Sequence, residues 1–237
     1  MNLLYLIAGV WDSVEKYERV TAVFLRNAKA RGYPFVPYAM PTVQFPGYRG
    51  LKVDKQLEWL DANKSDYTHV LYTDCTDVLL FGSPAEVEMK YEDMGKPPIL
   101  VSASHGAANV GDGRYADISK GKYYGFPHCG GYLAEIPLWL DTMRRFIADY
   151  PNEGDDCFMW FNSVRAGWLK PVLDSGCLIF QVGDMDYREA TLNGQRRPYN
   201  LRTDSYPCIW HSPGGSTDPE RGKLDRQEPW AKKWGIL

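Results

Sequence analysis

The feature that most constrains this chain is an alternation in its first third. Apolar stretches short enough for strands take turns with longer amphipathic stretches. Residues 3–8 (Leu-Leu-Tyr-Leu-Ile-Ala) read as a buried strand. Over 14–31, Val14, Tyr17, Val20, Val23, Phe24 and Ala28 share one helical face, and Gly32 follows as a stop. Residues 33–38 predict a second strand, which Pro34 and Pro37 confine to an edge or a short piece because proline donates no ladder hydrogen bond. Leu51, Leu57, Trp59 and Leu60 mark a helix over 49–63. Residues 68–73 are then a short apolar strand that stops at Asp74-Cys75-Thr76-Asp77. Strand, helix, strand, helix, strand is the βαβ order of an α/β domain with a parallel central sheet.

Further elements continue the pattern. Strands are expected at 98–104, 132–134, 177–181 and 207–210, and helices at 137–149 and 155–166. No repeat and no Pro/Gly-rich linker divides the 237 residues, so one domain over 1–237 is the expectation, with 218–237 as a tail laid on it.

Charge and cysteine use exclude several function classes. Lys and Arg total 27 against 30 Asp and Glu, a net charge of −3, so no global basic field draws the chain to nucleic acid. Arg196, Arg197, Arg202, Lys232 and Lys233 are candidate phosphate-backbone contacts of a nucleic acid, with a solvated charged surface the reading that the net acidity favours. No apolar run approaches the roughly 18 residues of a membrane span. The apolar N-terminus is short and has no basic flank, so it reads as a strand rather than a signal peptide. The five cysteines are odd in number, scattered and without a CxxC, which argues against a disulfide framework and for a reducing, cytoplasmic setting.

Three groups of residues carry candidate chemistry. Ligands of an open α/β sheet bind beyond the carboxyl ends of its strands, where Asp74 and Asp77 stand. Two carboxylates between apolar segments repel each other and lose hydration. A hard divalent cation, Mn²⁺ or Mg²⁺, offsets that cost; a helix cap plus an Asx-turn is the alternative reading. His211 ends the apolar strand before Ser212-Pro213-Gly214-Gly215 and is the candidate third ligand, against the alternative of a core or surface histidine. Gly214 and Gly215 offer backbone N–H groups to a diphosphate. His69, His105 and His128 fit structural or cleft-lining positions. Asp155 and Asp156 either cap the following helix or act on a sugar or acceptor hydroxyl. Gly130-Gly131 permits a close backbone approach, or marks a bulge.

In order along the chain, these segments resemble the glycosyltransferase domain of procollagen lysyl hydroxylases and of the related collagen galactosyltransferases. The segments are 73–80, 101–104, 128–134, 154–158, 177–181 and 211–214, and the resemblance spans roughly 47–218. It implies a GT-A-type fold, with a mixed, mostly parallel central sheet flanked by helices and a Rossmann-like nucleotide-binding half, that uses a UDP-sugar donor and Mn²⁺ (or Mg²⁺), and an acceptor bearing a hydroxyl group: hydroxylysine-like, a glycan, or a hydroxymethylpyrimidine in DNA. It implies Asp74, Asp77 and His211 as metal ligands and Asp155 and Asp156 as catalytic-pocket residues. Lys52 and Thr76 are implied beside the nucleotide, with the strand end Gly9-Val10 near the uridine. Thr76 stands where the family carries an aromatic residue, Cys157 where it carries a glutamine, and His128-Cys129 where it carries Asn-Ser.

Two other classes compete. Nucleotidyltransferases that make sugar nucleotides carry an early Gly-rich loop and a basic residue after the first strand, whereas this chain has Gly9-Val10-Trp11-Asp12. A non-catalytic nucleotide- or sugar-binding module would have no need of an intact Asp74, Asp77 and His211. The setting expected is a cytoplasmic, stand-alone bacterial or viral enzyme.

Overall fold

The early alternation folds into β1 (Leu3–Val10), α1 (Val14–Ala30), β2 (Phe35–Met40), α2 (Tyr48–Asn63) and β3 (His69–Thr73). Then come β4 (Val78–Leu80), α3 (Pro84–Asp93), β5 (Ile99–Ser104), α4 (Ala116–Ser119), β6 (Phe126–Glu135), α5 (Ile136–Asp149) and α6 (Asp156–Arg165). The short strands β7 (Val172–Asp174), β8 (Phe180–Val182), β9 (Ala190–Leu192), β10 (Pro198–Asn200) and β11 (Ile209–His211) complete the order. The structure is a computed structural model that describes residues 3–10, 14–33, 35–40, 48–75, 77–106, 115–153, 156–183, 190–192, 197–213 and 232. Within those stretches it describes the backbone alone over 4–20, 35–40, 48–52 and 190–192 and at 55, 65 and 116. Thr76, Asp155, Gly214, Gly215 and nearly all of the expected tail lie outside the described residues, as does the side chain of Lys52.

Six strands form the central sheet in the order β2-β1-β3-β6-β5-β7. The β1–β2, β1–β3 and β5–β7 pairs are parallel, and β6 runs antiparallel to both its neighbours. The sheet is thus mixed with parallel pairs in the majority, and β2 with its proline lies at an edge, both as expected. A second sheet of three strands, β4-β11-β8, carries the end of the chain's site.

Alternate residues of the central strands serve opposite layers, as the two-residue period of a strand requires. Val70, Tyr72, Val101, Tyr132 and Ala134 join Trp139, Met143 and Phe146 of α5 and Trp160 and Phe161 of α6 in one core. Leu71, Leu100 and Leu133 join Phe24 and Ala28 of α1 and Val87 and Tyr91 of α3 in the other. Among the described residues no helix is long and apolar enough to cross a membrane.

Some elements differ from expectation, each for a physical reason. Helix α3 buries only Val87 and Tyr91, too narrow a stripe to stand out in an acidic and basic segment. Its start is nonetheless well specified: Pro84 sits in the first turn, and the Ser83 hydroxyl accepts the Glu86 N–H at 3.3 Å. The strand expected at 177–181 begins only at Phe180. Asp174 draws the preceding chain into a loop, its carboxylate accepting the N–H groups of Leu178, Ile179 and Phe180 at 2.9, 2.8 and 2.7 Å. Cys177 within that loop takes a left-handed φ of 49°. The strand expected at 132–134 is the C-terminal part of the much longer β6.

Candidate metal centre

The two aspartates lie where the chain passes from one sheet to the other. β3 ends at Thr73 in the central sheet, and β4 begins at Val78 in the small one. Asp74 stays tied to the central sheet, its N–H donating to the Gly130 carbonyl of β6 at 3.0 Å. Its carboxylate is oriented by the Tyr72 hydroxyl, which donates to Oδ1 at 2.9 Å. Asp77 is tied to the small sheet, its carbonyl accepting the Ser212 N–H at 2.9 Å. Asp74 and Asp77 thus stand on either side of the step between the two sheets, which is the structural meaning of the Asp-x-x-Asp spacing.

His211 is the last residue of β11. That strand lies between β4, with which it is antiparallel (His211 opposite Val78), and β8, with which it is parallel (His211 opposite Val182). The Gly183 N–H donates to the His211 carbonyl at 3.0 Å, and the Trp210 indole donates to the Gly183 carbonyl at 2.8 Å. The backbone that carries the imidazole is therefore held by strand pairing on both sides. Its Nε2 lies 3.2 Å from Asp77 Oδ2 and 3.7 Å from Asp74 Oδ2, with side-chain exposures of 5%, 2% and 29% for His211, Asp77 and Asp74. The three residues each offer a ligand atom within 4.8 Å of the others. The structure thus brings together the three residues singled out in the sequence.

Two observations test whether this cluster fits a divalent cation. First, both ring nitrogens of His211 are buried and neither makes a hydrogen bond. Buried polar groups are almost always satisfied, so an orphaned imidazole facing two carboxylates calls for a missing partner. Ligand atoms about 2.1 Å from a common cation stand about 3.0 Å apart when they subtend a right angle, close to the spacing of Nε2 and Asp77 Oδ2. Second, the space is cleared by a glycine. A Cβ built on Gly130 would lie 2.1 Å from His211 Cε1, 2.6 Å from His211 Nδ1 and 2.8 Å from Asp74 Oδ2. The Gly130-Gly131 pair therefore serves a close approach, and it does so at an irregularity: Val101 pairs with Tyr132 but Ser102 with His128, leaving 129–131 unmatched by β5. Both readings of the pair hold together.

His128, which the sequence assigns a structural or cleft-lining position, is a buried residue of β6 whose ring meets that of His211 edge-on, with centroids 4.7 Å apart. The Gly130 N–H donates to His128 Nδ1 at 3.2 Å, so the neutral ring carries its proton on Nε2. The place of His128 beside His211 was not legible because the glycine pair interrupts the apolar run that would have revealed β6. Asp156 opens α6 and is buried beside Cys129 and Cys157, its Oδ1 accepting the Cys157 N–H at 3.1 Å. Gly9 and Val10 end β1. Because β1 and β3 are parallel with Ile7 opposite Thr73, they extend past the sheet edge at which Asp74 begins. Arg197 holds Glu86 with both guanidinium nitrogens, a structural role, and Arg202 stacks on Tyr123 with its guanidinium carbon 3.8 Å from the ring centre.

No protein-family model matches the chain, and no curated protein matches it. A solved structure described as that of a glycosyltransferase involved in the glycosylation of the major capsid of PBCV-1 is similar at 13% identity, with a TM-score of 0.54, over 98% of this chain and 100% of that one. At that identity the likeness defines the fold: a mixed α/β glycosyltransferase fold, in agreement with the fold class read from the sequence.

Proposed function

We propose that this chain is a metal-dependent glycosyltransferase that moves a sugar from a UDP-sugar to a hydroxyl acceptor. The observation that carries the reading is the convergence of Asp74, Asp77 and an unsatisfied His211 in a glycosyltransferase fold. Asp74, Asp77 and His211 would hold Mn²⁺ or Mg²⁺. Such an ion supplies Lewis-acid stabilisation of the diphosphate leaving group.

The chain's own residues do the rest. Tyr72 holds the Asp74 carboxylate in one orientation, and β4 and β8 hold His211, so the ligand set is preorganised. Gly9, Val10, Lys52 and Thr76 are the proposed nucleotide contacts, and Gly214 and Gly215 the proposed diphosphate contacts. Asp155 or Asp156 would bind or deprotonate the acceptor hydroxyl. The collagen glycosyltransferase subfamily, and with it a hydroxylysine-like acceptor, rests on the motif resemblance alone; a glycan or hydroxymethylpyrimidine acceptor fits the same chemistry. A cytoplasmic location is part of the proposal.

The test is calorimetry of UDP with and without Mn²⁺, followed by UDP-sugar hydrolysis and an acceptor panel read by mass. Mn²⁺-dependent UDP binding with slow hydrolysis is expected, and Asp77→Ala should abolish both while leaving the melting curve cooperative. Wild-type Mn²⁺ and UDP affinity in Asp77→Ala would overturn the assignment. UDP binding with no turnover of any UDP-sugar would leave a binding module instead.

A further inference from the structure

A second cluster lies apart from the three proposed ligands. Cys129 of β6 and Cys157 of α6 face each other with their sulfurs 2.8 Å apart. Both are buried, and the carboxylate of Asp156 lies within 4.8 Å of both sulfurs. Two cysteines and an aspartate are also the donors of a soft-metal site, so the geometry has to separate the two chemistries. Thiolates on a tetrahedral Zn²⁺ sit about 2.3 Å from the metal and hence about 3.8 Å from each other. The observed separation is a full ångström shorter, inside ordinary sulfur contact, so the pair approaches bonding distance rather than bridging distance.

We propose that Cys129 and Cys157 are an oxidisable dithiol that closes to a disulfide, joining β6 to the first turn of α6. With a peroxide as oxidant, one sulfur attacks a peroxide oxygen and the O–O bond breaks. The resulting sulfenic acid is attacked by the second sulfur, the S–O bond breaks and the S–S bond forms. Two thiols and one hydrogen peroxide give one disulfide and two waters, the thiol hydrogens leaving in the waters. With glutathione disulfide the same bond forms by exchange and releases two glutathione thiols.

The chain's other thiols make the pairing selective. Cys129 and Cys157 share one core cluster, whereas Cys75 and Cys208 lie in another and Cys177 in a third, and burial pushes the Cys208 thiol up to about 12. The bond would fasten two functional neighbourhoods: Cys129 precedes Gly130, which makes room for His211, and Cys157 follows Asp156. Its formation does not depend on the glycosyl-transfer reading.

The experiment treats the full chain with hydrogen peroxide, and separately with glutathione disulfide. Alkylation under native conditions and peptide mapping by mass spectrometry follow. The expected product joins the Cys129 peptide to the Cys157 peptide, two hydrogens lighter than the thiol pair, with Cys75, Cys177 and Cys208 recovered as thiols. A crosslink between residues 28 apart should raise the melting temperature by about 10 °C, reversibly with dithiothreitol. Cys157→Ser and Cys129→Ser should each lose the crosslink and the shift. If one serine variant fails to fold, the other and the wild-type peptide map decide. Persistence of both thiols, oxidation to separate sulfinic acids, or a different pairing overturns the proposal. So does stoichiometric Zn²⁺ binding that protects both sulfurs and is lost in Cys157→Ser.

Discussion

Replacing Gly130 with alanine is the sharpest perturbation of the proposed centre. The new methyl would sit 2.1 Å from His211 Cε1, where carbon atoms normally approach no closer than about 3.5 Å. The strand that carries the ring is paired on both sides by β4 and β8 and the ring itself meets His128, so relief requires more than an ångström of movement within a packed seam. Overpacking of this kind costs about 1–3 kcal/mol. Alanine recovers about 0.5–1 kcal/mol because glycine is intrinsically poor in a strand. A net loss of about 1–2 kcal/mol lowers the melting temperature by about 2–8 °C. The larger effect falls on metal binding: a displaced ligand should weaken Mn²⁺ affinity by about 10–100-fold or more.

Gly131→Ala is the internal control. Its added Cβ would meet the Phe180 ring at 3.1 and 3.2 Å and Ser102 Oγ at 3.3 Å, with no metal ligand among the nearest atoms. Calorimetric titration of Mn²⁺ into both variants, beside their melting curves, separates a site effect from a packing effect. Gly130→Ala with wild-type Mn²⁺ affinity, or equal losses in both variants, would refute the reasoning.

Two further outcomes follow from particular residues. Saturating the wild type with Mn²⁺ at about 100 times its Kd should add about 2.7 kcal/mol of stability, a rise of about 5–11 °C by differential scanning fluorimetry. His211→Ala should lose that rise, and a retained rise would remove His211 from the ligand set. At the other end of the small sheet, burial opposes ionisation of Glu86, but hydrogen bonds and charges from Arg197 and Lys90 outweigh it and hold the carboxyl below its ordinary value of 4.5. A depressed folded pKa gives stability that is present above 4.5 and lost as the pH falls through the lower folded value. Glu86→Gln should therefore cost about 1–2 kcal/mol at pH 7 and flatten the loss of stability below pH 4.5, measured by urea unfolding at stepped pH. An unchanged acid slope would count against the pair.

What the sequence made legible was local. Asp74 and Asp77 stand out because an apolar strand ends beside them, and His211 because it closes another apolar strand before a glycine pair. Each reading needs only neighbours within a few residues. His128 escaped because its partner, His211, is distant in sequence, and because strand pairing around 129–131 is interrupted. The Cys129–Cys157 approach escaped for the same reason: it joins a strand to a helix across the sheet face, and no spacing rule marks it. α3 escaped because two buried side chains in ten residues do not make a readable stripe. The roles of Arg197 and Asp174 became visible only once Glu86 and the 178–180 amides were brought to them.

The arrangement also explains why the proposed ligands come from two sheets. A site built on one strand end would place both carboxylates on the same backbone, where their repulsion could relax by a shift of that strand alone. Here Asp74 is anchored to β6 through Gly130, and Asp77 to the segment after β11 through Ser212. The carboxylates can separate only if the two sheets part. That movement is resisted by the core in which Leu71, Leu100 and Leu133 of the central sheet pack with Val78, Leu80, Phe180 and Ile209 of the small one. The apolar residues that follow each acidic or imidazole position in the sequence, or precede it, are thus what hold the two carboxylates and the imidazole together in the proposed centre.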